Sequence, residues 1–177
     1  MLVVSNTSPL IALAKINQFI IFKQLFQTIL IPQAVSDEFM KNCTLVEKIN
    51  FQSACQNVLI PQAESDEFLK NCTLIEKTNF QSACQDCIEI VEVQPVSQTF
   101  SRCLGVGERE ALTLAIQKQA DILIIDDRKA LNEAHEHKLT AISTRAVLRM
   151  ATEQKIIMDY QTLETALKQE NFFLPKY

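Results

Sequence analysis

Residues 105–128, GVGEREALTLAIQKQADILIIDDR, constrain this chain more than any other stretch. Glu108 and Glu110 open a helix-like run, and an apolar strand from Ile122 to Ile125 follows it and stops at two adjacent carboxylates, Asp126 and Asp127. In open α/β sheets, ligand sites form just beyond the carboxyl ends of parallel strands. Carboxylates left at such a place are costly if buried unpaired, so they usually hold a metal or a basic group.

The same alternation runs along the chain. Leu2 to Ser5 reads as a short strand, and the cap-type residues Asn6, Thr7 and Ser8 lead to Pro9, which suits the first turn of a helix. Leu10, Leu13 and Ala14 then recur at helical spacing, and Phe19, Phe22, Leu25 and Phe26 mark a second helix. Ile29 to Ile31 is a strand, and Pro32 opens a helix carrying Asp37 and Glu38. Ile88 to Val93 is a strand and Glu108 to Lys118 a helix, while Lys129 to His137 is a helix and Thr140 to Ile142 a strand. Two further helices run from Thr144 to Thr152 and from Tyr160 to Gln169. Strands alternating with helices predict an α/β fold of three α/β/α layers with a mainly parallel central sheet. A length of 177 residues suits one domain, 1–177, and two glycines are few for a turn-rich all-β protein.

The composition, 47% hydrophobic and 21% charged, is that of a globular protein, and no apolar run approaches the ~20 residues of a membrane span. The apolar start, MLVVSNTSPLIALAK, lacks the basic flank of a signal peptide, so a cytoplasmic location away from membranes is expected. The net charge of −4 argues against a passive nucleic-acid coat. It leaves room for a nuclease, because cations held by clustered acids restore local attraction for phosphate. Of the six cysteines (43, 55, 72, 84, 87 and 103) only Cys84 and Cys87 form a CxxC, with no second pair or histidine set beside it. Partly buried free thiols are therefore expected, not a zinc or disulfide framework.

The middle of the chain is a tandem duplication. Residues 30–56, LIPQAVSDEFMKNCTLVEKINFQSACQ, recur as 59–85, LIPQAESDEFLKNCTLIEKTNFQSACQ, with differences only at Val35/Glu64, Met40/Leu69, Val46/Ile75 and Ile49/Thr78. No third unit follows, whereas solenoids need three or more. Val35 and Ile49 become polar in the second copy, so the first copy is expected to hold the packed position and the second to be an insertion.

With these residues placed, the chain resembles the PIN-domain superfamily, most closely a prokaryotic toxin-like branch with VapC-type relatives. The segments that carry the likeness are VVSNTSPLIALAKI (3–16), LIPQAVSDEF (30–39), GVGEREALTLA (105–115) and ILIIDDRKA (122–130), which fall in the family's order. The resemblance implies a small nuclease in which clustered carboxylates bind Mg²⁺ or Mn²⁺ and cut RNA, often as the toxin of a toxin–antitoxin pair. The expected partners are an RNA substrate, an antitoxin protein and a second copy in a homodimer. Carried over, the first-strand position falls on Asn6, the second acid on Glu38 with Glu67 as its copy, the third on Glu108 with Glu110 as rival, and the fourth on Asp126 with Asp127 beside it. The family's site has an acid where this chain has Asn6; an amide oxygen still ligates a hard cation, but with one negative charge fewer.

Each of these residues has a plainer reading. Asp126 or Asp127 would serve as a helix N-cap. Glu108 and Glu110 would favour a helix start through its dipole. Glu38 would sit on a solvated helix face, and Asn6, Thr7 and Ser8 would only cap. Ser143 and Thr144 follow a strand and would cap a helix, or orient a metal-bound water or a carboxylate. Arg128 and Arg145, near two strand ends, would hold phosphate by forked hydrogen bonds or pair with the acids. His135 and His137, two residues apart on one helix, face different ways and make no joint metal site.

Overall fold

Strands with almost no polar surface form the middle of the sheet. In the computed structural model, which describes residues 1–54, 87–94, 100 and 103–175, these are β1 (Val3–Ser5), β2 (Ile29–Pro32) and β4 (Ile122–Ile124). Val3, Val4, Ile29, Ile31, Leu123 and Ile124 are at most 1% exposed, as strands covered on both faces must be. β3 (Ile88–Val91) and β5 (Ala141–Ile142) close the two edges. The five strands are all parallel in the order β3-β2-β1-β4-β5, with Val3 opposite both Ile29 and Ile122.

Eight helices cover this sheet among the described residues, giving the three-layer α/β/α arrangement. They are α1 (Thr7–Lys15), α2 (Ile20–Phe26), α3 (Gln33–Asn42), α4 (Leu45–Ala54), α5 (Val106–Gln117), α6 (Arg128–Glu136), α7 (Thr144–Glu153) and α8 (Tyr160–Gln169). Among the described residues, no helix is long and apolar enough to cross a membrane. Among the described residues, six helix ends reverse through a residue with positive φ that is not glycine: Asn17, Gln27, Gln119, Lys138, Lys155 and Asn171. Each conformation costs roughly 1 kcal/mol beside a glycine. The chain's two glycines stand elsewhere, at positions 105 and 107.

The expected elements form, with shifted bounds. The strand expected to reach Val93 ends at Val91, because its neighbour β2 ends at Pro32, the residue paired with Val91, and turns into α3. The helix expected from Glu108 begins at Val106, since Gly105 supplies the extended capping backbone.

Copy one of the duplication builds β2, α3 and α4. Val35, Phe39 and Phe51 are buried, and Phe51 lies against Phe39 with ring centroids 4.3 Å apart and against Phe19 at 6.3 Å. Thr44 and Glu47 cap α4 reciprocally, at 2.7 and 3.3 Å, and Glu47 also pairs with Lys15 of α1 at 3.0 Å. Burial alone would raise the Glu47 pKa, but the bonds from Thr44 and Lys15 outweigh it and leave the pKa lowered. Burial pushes the neighbouring Cys43 thiol up to about 11, so it stays protonated and behaves as a small apolar group. Cys87 is buried as well, and its thiol lies 3.9 Å from the Phe19 carbonyl oxygen. The second copy, with Glu67, Cys72 and Cys84, lies outside the described residues.

Deleting Asn57 to Gln85 should leave a folded protein that melts at or above the parent's temperature. The deletion joins Ala54 to Cys87 through Cys55, Gln56 and Asp86, a link of up to about 14 Å at full extension. Phe51, three residues before Ala54, lies against Phe19, whose carbonyl oxygen is 3.9 Å from the Cys87 thiol. By contrast, Val35→Glu, which writes the second copy's residue into the first, should cost about 3–5 kcal/mol by burying an unpaired charge at a 0% exposed position. Melting curves check both. A deletion that unfolds while Val35→Glu is tolerated would show the copies' roles assigned backwards.

Candidate active site

Asn6 directly follows β1, at the point where the strand order reverses. Its backbone N–H donates to the Ile124 carbonyl of β4 at 3.0 Å, locking the carboxyl ends of the two strands side by side. The side chain is 3% exposed, and its Oδ1 accepts the Thr7 N–H at 2.6 Å at the start of α1. The amide oxygen thus lies at the strand end and already serves the cap.

Asp126 lies beyond β4, 9% exposed. Its Oδ1 accepts the Thr144 N–H at 2.8 Å and its Oδ2 the Thr144 hydroxyl at 2.6 Å. Burial raises its pKa and the Thr144 bonds only partly offset this, with Arg145 adding a smaller lowering pull. Capping of α6 falls instead to Asp127, whose Oδ1 accepts from Lys129 and Ala130 at 2.7 and 2.9 Å. One acid therefore performs the plain helix role and its neighbour does not. Thr144 orients a carboxylate, while Ser143 caps α7.

Glu108 folds back on its own helix start and accepts the Gly105 N–H at 2.7 Å. Its pKa is raised, first by burial and then by the charges of Asp127 and Glu38, against the lowering effect of the Gly105 bond. Glu108, Asp126, Asp127 and Ser8 line one cavity of about 320 Å³, together with Phe172, Phe173 and Pro175. Glu38 sits just beyond, in an adjoining cleft with Gly107, and accepts the Thr7 hydroxyl at 2.6 Å. A β-carbon on Gly107 would come within 2.7 Å of the Glu38 Oε2. Gly107 is thus the residue that lets α5 approach Glu38, a role the sequence reading missed. The signal was there, in that both glycines of the chain fall inside the 105–128 motif.

Other candidates lie elsewhere. Glu110 points away from the cavity and accepts the Ala34 N–H at 3.3 Å, supporting the start of α3. Arg145 does not present a free fork to phosphate: it pairs with Glu164 at 3.0 Å and donates to the Leu174 and Pro175 carbonyls. Arg128 is exposed at the start of α6. Glu67 lies outside the described residues. Among the described residues, no group of three or more His, Cys, Asp or Glu side chains is placed to hold a metal ion.

A family model described as PIN domain matches residues 2–53 and, in a second alignment, residues 44–177, so the chain belongs to the PIN-domain family. The first match includes residues 30–53 of one repeat copy and the second includes all of 59–85, the other copy. No curated protein matches the chain.

A carboxyl whose pKa is raised by folding favours the folded state while protonated and costs stability once ionised. Glu108→Gln should therefore melt slightly higher than the parent at pH 7, by no more than about 1 kcal/mol for so partly exposed a group. The gain should fade as the pH falls through the raised Glu108 pKa. Millimolar Mn²⁺ should raise the parent's melting temperature and shift the variant's less, since a cation bound only by the folded state stabilises it by mass action. An equal Mn²⁺ shift in both would remove Glu108 from the cation's neighbours. Gly107→Ala should fold with a stability loss under about 1 kcal/mol, because the flexible end of Glu38 can swing aside. It should nonetheless weaken the Mn²⁺ shift by displacing that carboxylate; an undiminished shift would show that the placement of Glu38 does not matter.

Proposed function

We propose that this protein is a divalent-metal-dependent endoribonuclease of PIN type that acts as the toxin of a toxin–antitoxin pair. The observation that carries the reading is the shared cavity of Glu108, Asp126 and Asp127 at the point where strand order reverses, with Glu38 close enough to raise the Glu108 pKa. Like charges held together in this way suit a hard cation, and every donor is an oxygen. Glu38, Glu108 and Asp126 would hold Mg²⁺ or Mn²⁺, with the Asn6 amide oxygen and Asp127 beside them. When bound, the metal supplies an activated water and offsets charge on the phosphate oxygens.

The protein's own part is positioning. Thr144 fixes Asp126 with two hydrogen bonds, Thr7 fixes Glu38, and the Gly105 N–H fixes Glu108. Each acid is aimed before any ligand arrives, which lowers the reorganisation needed at the moment of reaction. Lys129, which lies near enough to lower the Glu108 pKa, and Arg128 at the start of α6 offer positive charge to an RNA backbone. The partners in this reading are RNA, a small antitoxin protein that covers the cavity, and a second copy in a homodimer.

A second reading, a catalytically weak PIN-like module that binds RNA or protein, has one observation in its favour: Asn6 brings no charge and spends its oxygen on the α1 cap. A Mn²⁺-dependent RNA cleavage assay separates the two. Asp126→Asn should lower cleavage by about a hundredfold or more, and Asn6→Asp should raise it and tighten Mn²⁺ binding several-fold. If Asn6→Asp binds the cation no more tightly than the parent, position 6 is not a ligand. If neither protein cleaves RNA in Mn²⁺, the weak-module reading replaces the nuclease.

A further inference from the structure

We infer that Phe173 is a stacking platform for a nucleobase of the RNA strand threaded past the acidic cavity, an assignment that rests on the ribonuclease reading above. Three observations lead to it. Phe173 lines the same cavity as Glu108, Asp126 and Asp127, yet it is 71% exposed. It stands between Phe172, packed against the core, and Leu174, which is 6% exposed. The backbone beyond it is pinned as well, because Arg145, itself paired with Glu164 at 3.0 Å, donates to the Leu174 and Pro175 carbonyls. Phe173 is thus an apolar ring held in water by a fixed backbone, where burying it would have stabilised the fold.

The cavity's charge says what such a ring is for. Carboxylates repel a phosphate backbone until a cation neutralises them, so the acids alone give the strand no hold. A phenyl face binds a base without regard to charge or sequence, because every base presents a π-face. Placed at the rim, it would anchor one base while the adjoining phosphate lies over the carboxylates. Preference then falls on single strands, whose bases are free to stack, over paired RNA, whose bases are not.

The probe is a short single-stranded DNA oligonucleotide carrying one 2-aminopurine, checked on a gel as intact after titration. Its fluorescence should be quenched by the parent protein. Phe173→Ala and Phe173→Leu should both weaken binding by about five- to a hundredfold, the range of a lost base–aromatic stack, with the melting temperature unchanged. Phe173→Trp should keep the parent's affinity. On an RNA substrate, Phe173→Ala should raise KM by more than it lowers kcat. Equal affinity for the parent and the Ala and Leu variants overturns the platform while leaving any metal-dependent cleavage intact. A parent that neither binds the oligonucleotide nor cleaves RNA overturns the ribonuclease reading and the platform with it. If Phe173→Ala releases a co-purifying protein while oligonucleotide binding holds, the ring is a protein contact and the inference fails.

Discussion

The junction between β1 and β4 organises this protein. One backbone hydrogen bond, from the Asn6 N–H to the Ile124 carbonyl, marks where two neighbouring parallel strands end together while their connections leave in opposite directions. No chain segment crosses above such a reversal, so a crevice opens there. Asn6 directly follows β1, and Asp126 and Asp127 follow β4 after Ile125, so all three lie at the strand ends. α1, α6 and α7 all begin beside it, and their first turns supply the hydrogen bonds that fix the side chains.

The arrangement trades stability for a charged cavity. Asp126 is buried and its pKa raised; Glu108 is pushed up first by burial and then by two neighbouring carboxylates. Elsewhere the fold places acids where they gain. Glu47 caps α4 and meets Lys15, and Glu164 holds Arg145; at both, the partners' bonds outweigh burial and leave the pKa lowered. Acids whose environment resists ionisation, gathered in one crevice, support the ligand site we propose there. Gly107 belongs to the same design, since a β-carbon there would push the Glu38 carboxylate aside.

Most of the fold was legible in the sequence because the central strands are short and largely apolar and each leads into a helical period. Asn6, Asp127 and Ser143 do cap the helices that follow them. Strand ends were less legible, since β3 stops where its neighbour turns away, a fact about β2 and not about Val93. At the site, the strand-end acids could be read from position alone. The choice between Glu108 and Glu110 could not, because both sit in the first turns of one helix and only the packing of α3 sends Glu110 to the Ala34 N–H. Phe172 and Phe173 were invisible as cavity walls, since Arg145 brings their segment across from far along the chain. In the duplication, Val35 against Glu64 pointed to the first copy as the packed one; that copy's Val35 is wholly buried, while the second copy lies outside the described residues.

The central claim is that Glu38, Glu108 and Asp126 share one cation. Crystals soaked in Mn²⁺ and measured for anomalous scattering test it most directly. A peak is expected in the crevice beyond β1 and β4, within about 2.0–2.6 Å of oxygens from at least two of those three carboxylates. No peak there at saturating Mn²⁺, or a peak held by other residues with these three acids left as they are, would contradict it.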